Sequence, residues 1–205
     1  MIALIDYGAG NVRSVRKALE AVGAEIRMAR EPRALQDVAK IVLPGVGAFG
    51  DCMAGLRRLG LVSALHRAVE VGVPLLGICV GFQVLFEEGE EMGRHAGLGL
   101  LPGRVVRFPG EIAGPGYKIP HTGWNQIEPI ASSPLLDGLP PGAWVYFNHA
   151  YYAQAAPEHT LAVTDYGGPF PSVVGRGSVN GVLFHPEKSQ RVGLRILENW
   201  VERAK

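Results

Sequence analysis

From Val71 to Phe86 the chain carries no charged side chain, and inside that window PLLGIC (74–79) reads as a strand without a polar face. Such a strand must be covered on both sides, which is the condition of an inner strand in a parallel sheet flanked by helices. A membrane span is the other structure that takes an uncharged run. It needs ~20 predominantly apolar residues, whereas this window has 16 and is interrupted by Gly72, Pro74, Gly77 and Gly81.

The segments before it fit the first reading. IALI (2–5), EIRMA (25–29) and KIVLP (40–44) are short strand candidates. Between the first two, Val12, Val15, Leu19 and Val22 recur at helical spacing, and Gly23 stands where a C-terminal cap belongs. Pro32 opens a short helix, and residues 51–71 read as helix with a break at Gly60. The alternation of strand and helix predicts a doubly wound α/β core. After residue 100 the pattern changes to strands separated by turns: RVVRF (104–108), NQIEPI (125–130), AWVYFNHAYYA (143–153), TLAVTDY (160–166), SVVGR (172–176) and NGVLFHP (180–186). These predict antiparallel or mixed additions to the sheet. A helix over 188–203, with Val192, Ile196, Trp200 and Arg203 on one face, closes the chain. The expected architecture is one domain over 1–205, a mixed sheet flanked by helices.

Composition excludes some partners. At 205 residues and a net charge of +1, the chain lacks the basic excess that attracts nucleic acid or an anionic membrane surface. The start, MIALIDYG, has no basic stretch leading into an apolar one, so no secretory signal is read. The two cysteines, Cys52 and Cys79, make no disulfide framework, and a reducing cytoplasm fits. No HExxH, CxxC or repeated Cys/His spacing points to zinc, and no cofactor is expected. Gly8 to Arg13 is a partial dinucleotide fingerprint that ends on Arg where the motif needs Gly, so it reads as a tight turn.

Two features carry chemistry. Cys79 ends the uncharged strand with Gly77 and Gly81 two residues to either side. Glycines at those places permit the sharp strand-to-helix turn of a nucleophile elbow, with Val80 N–H facing a developing oxyanion and the next helix end lowering the thiol pKa. A buried packing cysteine fits the same local pattern. His185-Pro186-Glu187 ends another apolar strand, and His and Glu two apart on extended backbone project to one side. They suit a base and its orienting acid, and a surface turn also fits. The loop Pro44-Gly45-Val46-Gly47 follows a third strand and can offer N–H groups to the same oxyanion. Cys52 reads as packing.

GICVGFQ (77–83) and FHPEKSQ (184–190), with IDYGAGN at the start, LPGVGAFGD (43–51), PHTGWNQI (120–127) and YFNHAYY (146–152), resemble the class I (triad) glutamine amidotransferases nearly end to end. Within them the chain is most similar to the glutaminase subunits of imidazole glycerol phosphate synthase. The resemblance implies that Cys79 is the nucleophile, His185 the base and Glu187 the orienting acid. It implies that Gln83 and the Gly45, Val46, Gly47 strand line the glutamine site, with Val80. It also implies a (β/α)₈-barrel cyclase as partner in a heterodimer, receiving ammonia and contacted near Asn11, Trp124, Tyr146 and Lys188. Val80, Phe82, Asn148, Ala150 and Leu183 stand where the family commonly has Leu, Met, Val, Ser and Gln. The alternatives are a glutaminase of another synthase, a stand-alone triad hydrolase, and a silent binding module of the same fold.

Glycines on both sides of Val46 also suggest a switch. The 45–46 peptide can turn over at little steric cost, so a resting chain is expected to aim its carbonyl at Cys79 and to be nearly inactive. Cyclase ligand is then expected to raise turnover at least ~100-fold, the scale of one restored oxyanion donor.

Overall fold

The computed structural model describes residues 1–8, 11–109 and 117–203. In chain order its strands and α-helices are β1 (Ile2–Ile5), α1 (Val12–Ala21), β2 (Ile26–Ala29), β3 (Lys40–Gly45), α2 (Phe49–Arg58), α3 (Leu61–Glu70), β4 (Leu75–Cys79), α4 (Val80–Gln83), β5 (Phe86–Gly89), β6 (His95–Ala96) and β7 (Leu101–Arg107). Then follow β8 (His121–Pro129), β9 (Ala143–His149), β10 (Tyr151–Ala155), β11 (Thr160–Asp165), β12 (Pro169–Arg176), β13 (Val179–Val182) and α5 (Gln190–Arg203).

The main sheet has nine strands in the order β2-β1-β3-β4-β13-β12-β11-β8-β9. Strands β2, β1, β3, β4 and β13 run parallel. From β13 to β9 each neighbour is antiparallel. This is the expected mixed α/β sheet. The uncharged strand β4 sits inside it with all five residues buried, and burying Leu75, Leu76 and Ile78 stabilises by about 1.5–3 kcal/mol each. Gly60 adopts the left-handed conformation (φ 67°) and separates α2 from α3, as its place in the pattern predicts.

Three expectations are corrected. The segment 143–153 is two strands, not one. It bends at Ala150, so that β9 edges the main sheet while β10 joins a second, four-stranded sheet of order β10-β7-β5-β6. The short strands β5 and β6 of that sheet were not expected; only its β7 overlaps RVVRF. The closing helix begins at Gln190, because Pro186–Lys188 forms a separate 3₁₀ turn. Ile196 and Trp200 are fully buried in α5 and Val192 packs against the core, while the side chain of Arg203 lies outside the described residues. So do Ala9 and Gly10 of the partial fingerprint.

Topology alone brings the chemistry together. Cys79 ends β4, and its parallel neighbours β3 and β13 flank it. Gly45 is paired with Cys79, and Val182 with Ile78. His185 is three residues past Val182, at the same carboxyl edge of the sheet, where parallel α/β sheets bind ligands.

Candidate active site

Cys79 has φ 56° and ψ −112°, a backbone conformation that a non-glycine residue adopts at a cost of about 1–3 kcal/mol. The glycines make the turn possible. A Cβ at Gly81 would land on the carbonyl oxygen of Leu43, and one at Gly77 would meet the Gly81 carbonyl oxygen at 2.5 Å. The elbow is therefore wedged against β3. Gly45 is pinned for the same reason, since its Cβ would lie 2.5 Å from Gly81 N. The helix that opens at Val80 is one turn long. The helix expected after the elbow is thus cut to four residues, whose peptide units sum to little dipole. The charge partner at the sulfur is His185.

The His185 ring is buried, and its Nδ1 lies 2.9 Å from Glu187 Oε1, which leaves Nε2 for Cys79. Burial by itself pushes this imidazole down. Hydrogen bonds to Cys79 and Glu187, and the charges of both, outweigh burial and hold it well above the ordinary histidine range. The Glu187 side chain is wholly buried and also accepts from Asn11 Nδ2 at 3.4 Å. The segment carrying them is clamped to β9. Tyr146 O accepts from His185 N at 2.9 Å, while Ser189 Oγ accepts from Tyr146 N and donates to His185 O. Ser189 was not singled out from sequence, although it ends the FHPEKS run.

Cys79 opens onto a cavity of about 150 Å³ whose walls include Val46, Gly47, Val80, Gln83, Glu91 and His185. The elbow, the Gly-rich strand and Gln83 are thus brought to one place, as expected, with Gly45 packed behind. Glu91 is an addition. Its Oε2 caps α2 by accepting from Phe49 N at 2.8 Å, and nothing in its acidic surroundings in the sequence marks it. Asn148 turns its carbonyl oxygen toward Cys79 Sγ (4.0 Å) and its side chain outward to Thr122. Its departure from the family residue therefore falls on the outer face. Cys52 is buried in α2, and burial pushes its thiol up to about 12, so it stays protonated and packs.

Three of the four expected partner residues touch in series, and Asn11 joins them only through Glu187, the chain neighbour of Lys188. Asn11 touches Glu187, Lys188 lies over the Tyr146 ring at 5.6 Å, and Tyr146 meets Trp124 edge to face. Trp124 is 43% exposed. Among the described residues no group of three or more His, Cys, Asp or Glu could hold a metal ion, and no helix is long and apolar enough to cross a membrane.

Known proteins place this geometry. The family model for glutamine amidotransferase class-I matches residues 3–204. Two curated relatives, both imidazole glycerol phosphate synthase subunit HisH, come from Symbiobacterium thermophilum and Syntrophotalea carbinolica. The first is 52% identical over 97% of this chain and 92% of its own length, the second 51% identical over 98% of each. Among solved structures, one described as a glutamine amidotransferase superposes with a TM-score of 0.71 at 23% identity, covering 96% of this chain and 99% of its own. PurLQS from Thermotoga maritima gives 0.76 at 21% identity, covering 100% of this chain and 98% of its own; at these identities the likeness is one of fold. The chain belongs to the class-I glutamine amidotransferases and, within them, to the family of imidazole glycerol phosphate synthase HisH subunits.

Proposed function

We propose that this chain, acting as a single domain over 1–205 in the cytoplasm, is the glutaminase subunit of an imidazole glycerol phosphate synthase. It hydrolyses glutamine and passes the ammonia to a cyclase subunit of (β/α)₈-barrel fold, a step of histidine biosynthesis. The observation that carries the chemistry is His185 held between Cys79 and Glu187 at a small cavity.

The thiolate of Cys79 attacks the side-chain amide carbon of glutamine. The oxyanion that forms is held by Val80 N–H and by a backbone N–H of the 45–47 strand, and each such donor is worth ~10²–10³ in rate when in place. The His185 imidazolium gives its proton to the departing nitrogen, and ammonia leaves as the γ-glutamyl thioester forms. His185, now neutral, takes a proton from water, which attacks the thioester. Glutamate departs and the thiolate–imidazolium pair returns. Gln83 lines the substrate site, and the Glu91 carboxylate suits the α-ammonium of an amino acid. The cyclase uses the ammonia to make imidazole glycerol phosphate and an aminoimidazole carboxamide ribotide.

Exposed Trp124 and Lys188, with half-buried Tyr146 and Asn11 between them and the triad, support a partner face that touches the triad from behind, with aromatic anchors at its centre. We assign control to the 45–46 peptide. Gly47 has φ 87°, outside what other residues adopt readily, so this loop is built for an uncommon backbone. In the resting chain its carbonyl faces Cys79, and the liganded cyclase favours the N–H-in form through its differential affinity for that state.

The test is a complex reconstituted with the cyclase. Cys79→Ala should lose glutamine-dependent synthesis and keep synthesis from ammonium salts; retention of glutamine turnover would remove the nucleophile assignment. Glutamine turnover by the isolated chain equal to that of the liganded complex would remove the switch.

A further inference from the structure

His121 and His149 take no part in the chemistry above, yet both are buried, at 3% and 5% exposure. They face each other across β8 and β9, where His121 pairs with His149. Their protons can be placed by working back from a group that only accepts. His149 Nδ1 lies 2.9 Å from the Tyr151 carbonyl oxygen, so Nδ1 carries the hydrogen. Burial pushes both rings down, His149 to about 3 and His121 to about 4, so each carries one hydrogen at neutral pH. His149 Nε2 is then bare. His121 Nδ1, 3.1 Å away, must donate to it. That leaves His121 Nε2 bare, facing Asn125 Nδ2 at 3.4 Å. Asn125 is itself oriented. Its Oδ1 accepts from Gln126 N at 2.8 Å and its Nδ2 also donates to Asp165 O at 2.8 Å. Every hydrogen from Asn125 to Tyr151 therefore has one place.

The relay ends on the substrate site. The same Tyr151 carbonyl accepts a second hydrogen bond, from Gln83 Nε2 at 3.2 Å. That bond decides which end of the Gln83 amide stays against the backbone and which is left for the cavity. His149 also lines the cavity. It cannot act as a second base there, because its one bare nitrogen is taken by His121.

We infer that His121 and His149 form a neutral relay of fixed tautomers whose task is to hold the Tyr151 carbonyl, and through it Gln83, in the orientation that glutamine binding uses. They are positioning residues for substrate, not participants in the bond changes. The inference rests on the glutaminase reading, and the wild-type control separates the two: no glutamine turnover by the wild-type complex would overturn that reading rather than this one.

The experiment measures glutamine kinetics of the cyclase complex for His149→Phe, which keeps a ring and removes the donor, and for His149→Asn, whose amide N–H occupies the place of Nδ1. Ammonia-dependent synthesis and the melting profile report on folding. The expected result is a KM for glutamine raised about 10-fold or more in His149→Phe, the size of one lost hydrogen bond to a buried carbonyl, with kcat within about 3-fold. His149→Asn should recover most of the loss. If His149→Phe does not fold, His121→Phe, which leaves the Tyr151 bond in place but unfixes the His149 tautomer, should show the same split with a smaller change in KM. An unchanged KM in a folded variant, a loss confined to kcat, or no recovery with Asn would each overturn the relay.

Discussion

Two sets of buried histidine stand at the same cavity and are held in opposite charge states. His185 is flanked by a carboxylate and a thiol, and it is pushed up. His149 and His121 are flanked by a carbonyl, a carboxamide and each other, and both are pushed down. Burial alone would drive all three the same way. The difference lies in the partner: an anion outweighs desolvation, whereas neutral dipoles do not. One site therefore stores a proton for the leaving group, and the other withholds protons so that its hydrogen bonds keep one direction.

The largest expected effects come from breaking the charged side. His185→Ala removes both the acid and the base of the cycle and should lower glutamine turnover by on the order of 10⁴-fold or more, as loss of the base does in other triads. Glu187→Gln leaves the ring and removes the charge that orients it. Its loss should be about 10–100-fold smaller than that of His185→Ala. It should also leave a signature in the pH profile. His185 must be protonated when ammonia departs, so its deprotonation sets the alkaline limb. With one of its supports gone, that limb should move to lower pH. A limb that stays in place in Glu187→Gln would mean that Cys79 alone holds the imidazolium. The neutral side enters next, with the roughly tenfold change in KM expected for His149→Phe.

The two sides also differ in how far they could be read from residues alone. The elbow was legible because two glycines and an uncharged strand leave few structures open, and the wedging of Gly81 against Leu43 is the physical form of that constraint. His185 and Glu187 were legible as a pair by their spacing, although the backbone that joins them is a 3₁₀ turn (Pro186–Lys188) and not the extended segment that the spacing argument assumed. His149 was not. It continues the inward phase of Ala143, Val145 and Phe147 in β9, so the signal of a buried histidine was present. Its partner His121 is 28 residues away, and only register brings them together. The same unbroken phase hid the change of sheet at Ala150. Inward positions 143, 145, 147 and 149 run on to a buried Ala153 without a slip. What ends β9 is a backbone bend, and side-chain alternation does not record it.

The smallest effect is read in stability rather than activity, and it separates the two sides by sign. For His121 the folded value, about 4, lies below the unfolded one of about 6.5. The unfolded chain then binds the extra proton, and stability from this residue, complete above pH 6.5, is lost as pH falls toward 4. His149 acts in the same sense, over a window that reaches about 3. His185 is opposite, because its folded value is raised. Its contribution is complete below about 6.5 and is lost as pH rises through the folded value. Between pH 7 and pH 6 the loss from one depressed histidine integrates to about 0.7 kcal/mol. Urea unfolding of His121→Phe should therefore show a fall in stability over that unit of pH that is shallower than wild type by about this amount. His185→Ala should not make it shallower, since His185 works against the fall. A wild-type and His121→Phe pair with parallel pH dependence would mean that His121 takes up its proton in the folded protein as readily as in the unfolded chain, and the fixed direction of the relay would go with it.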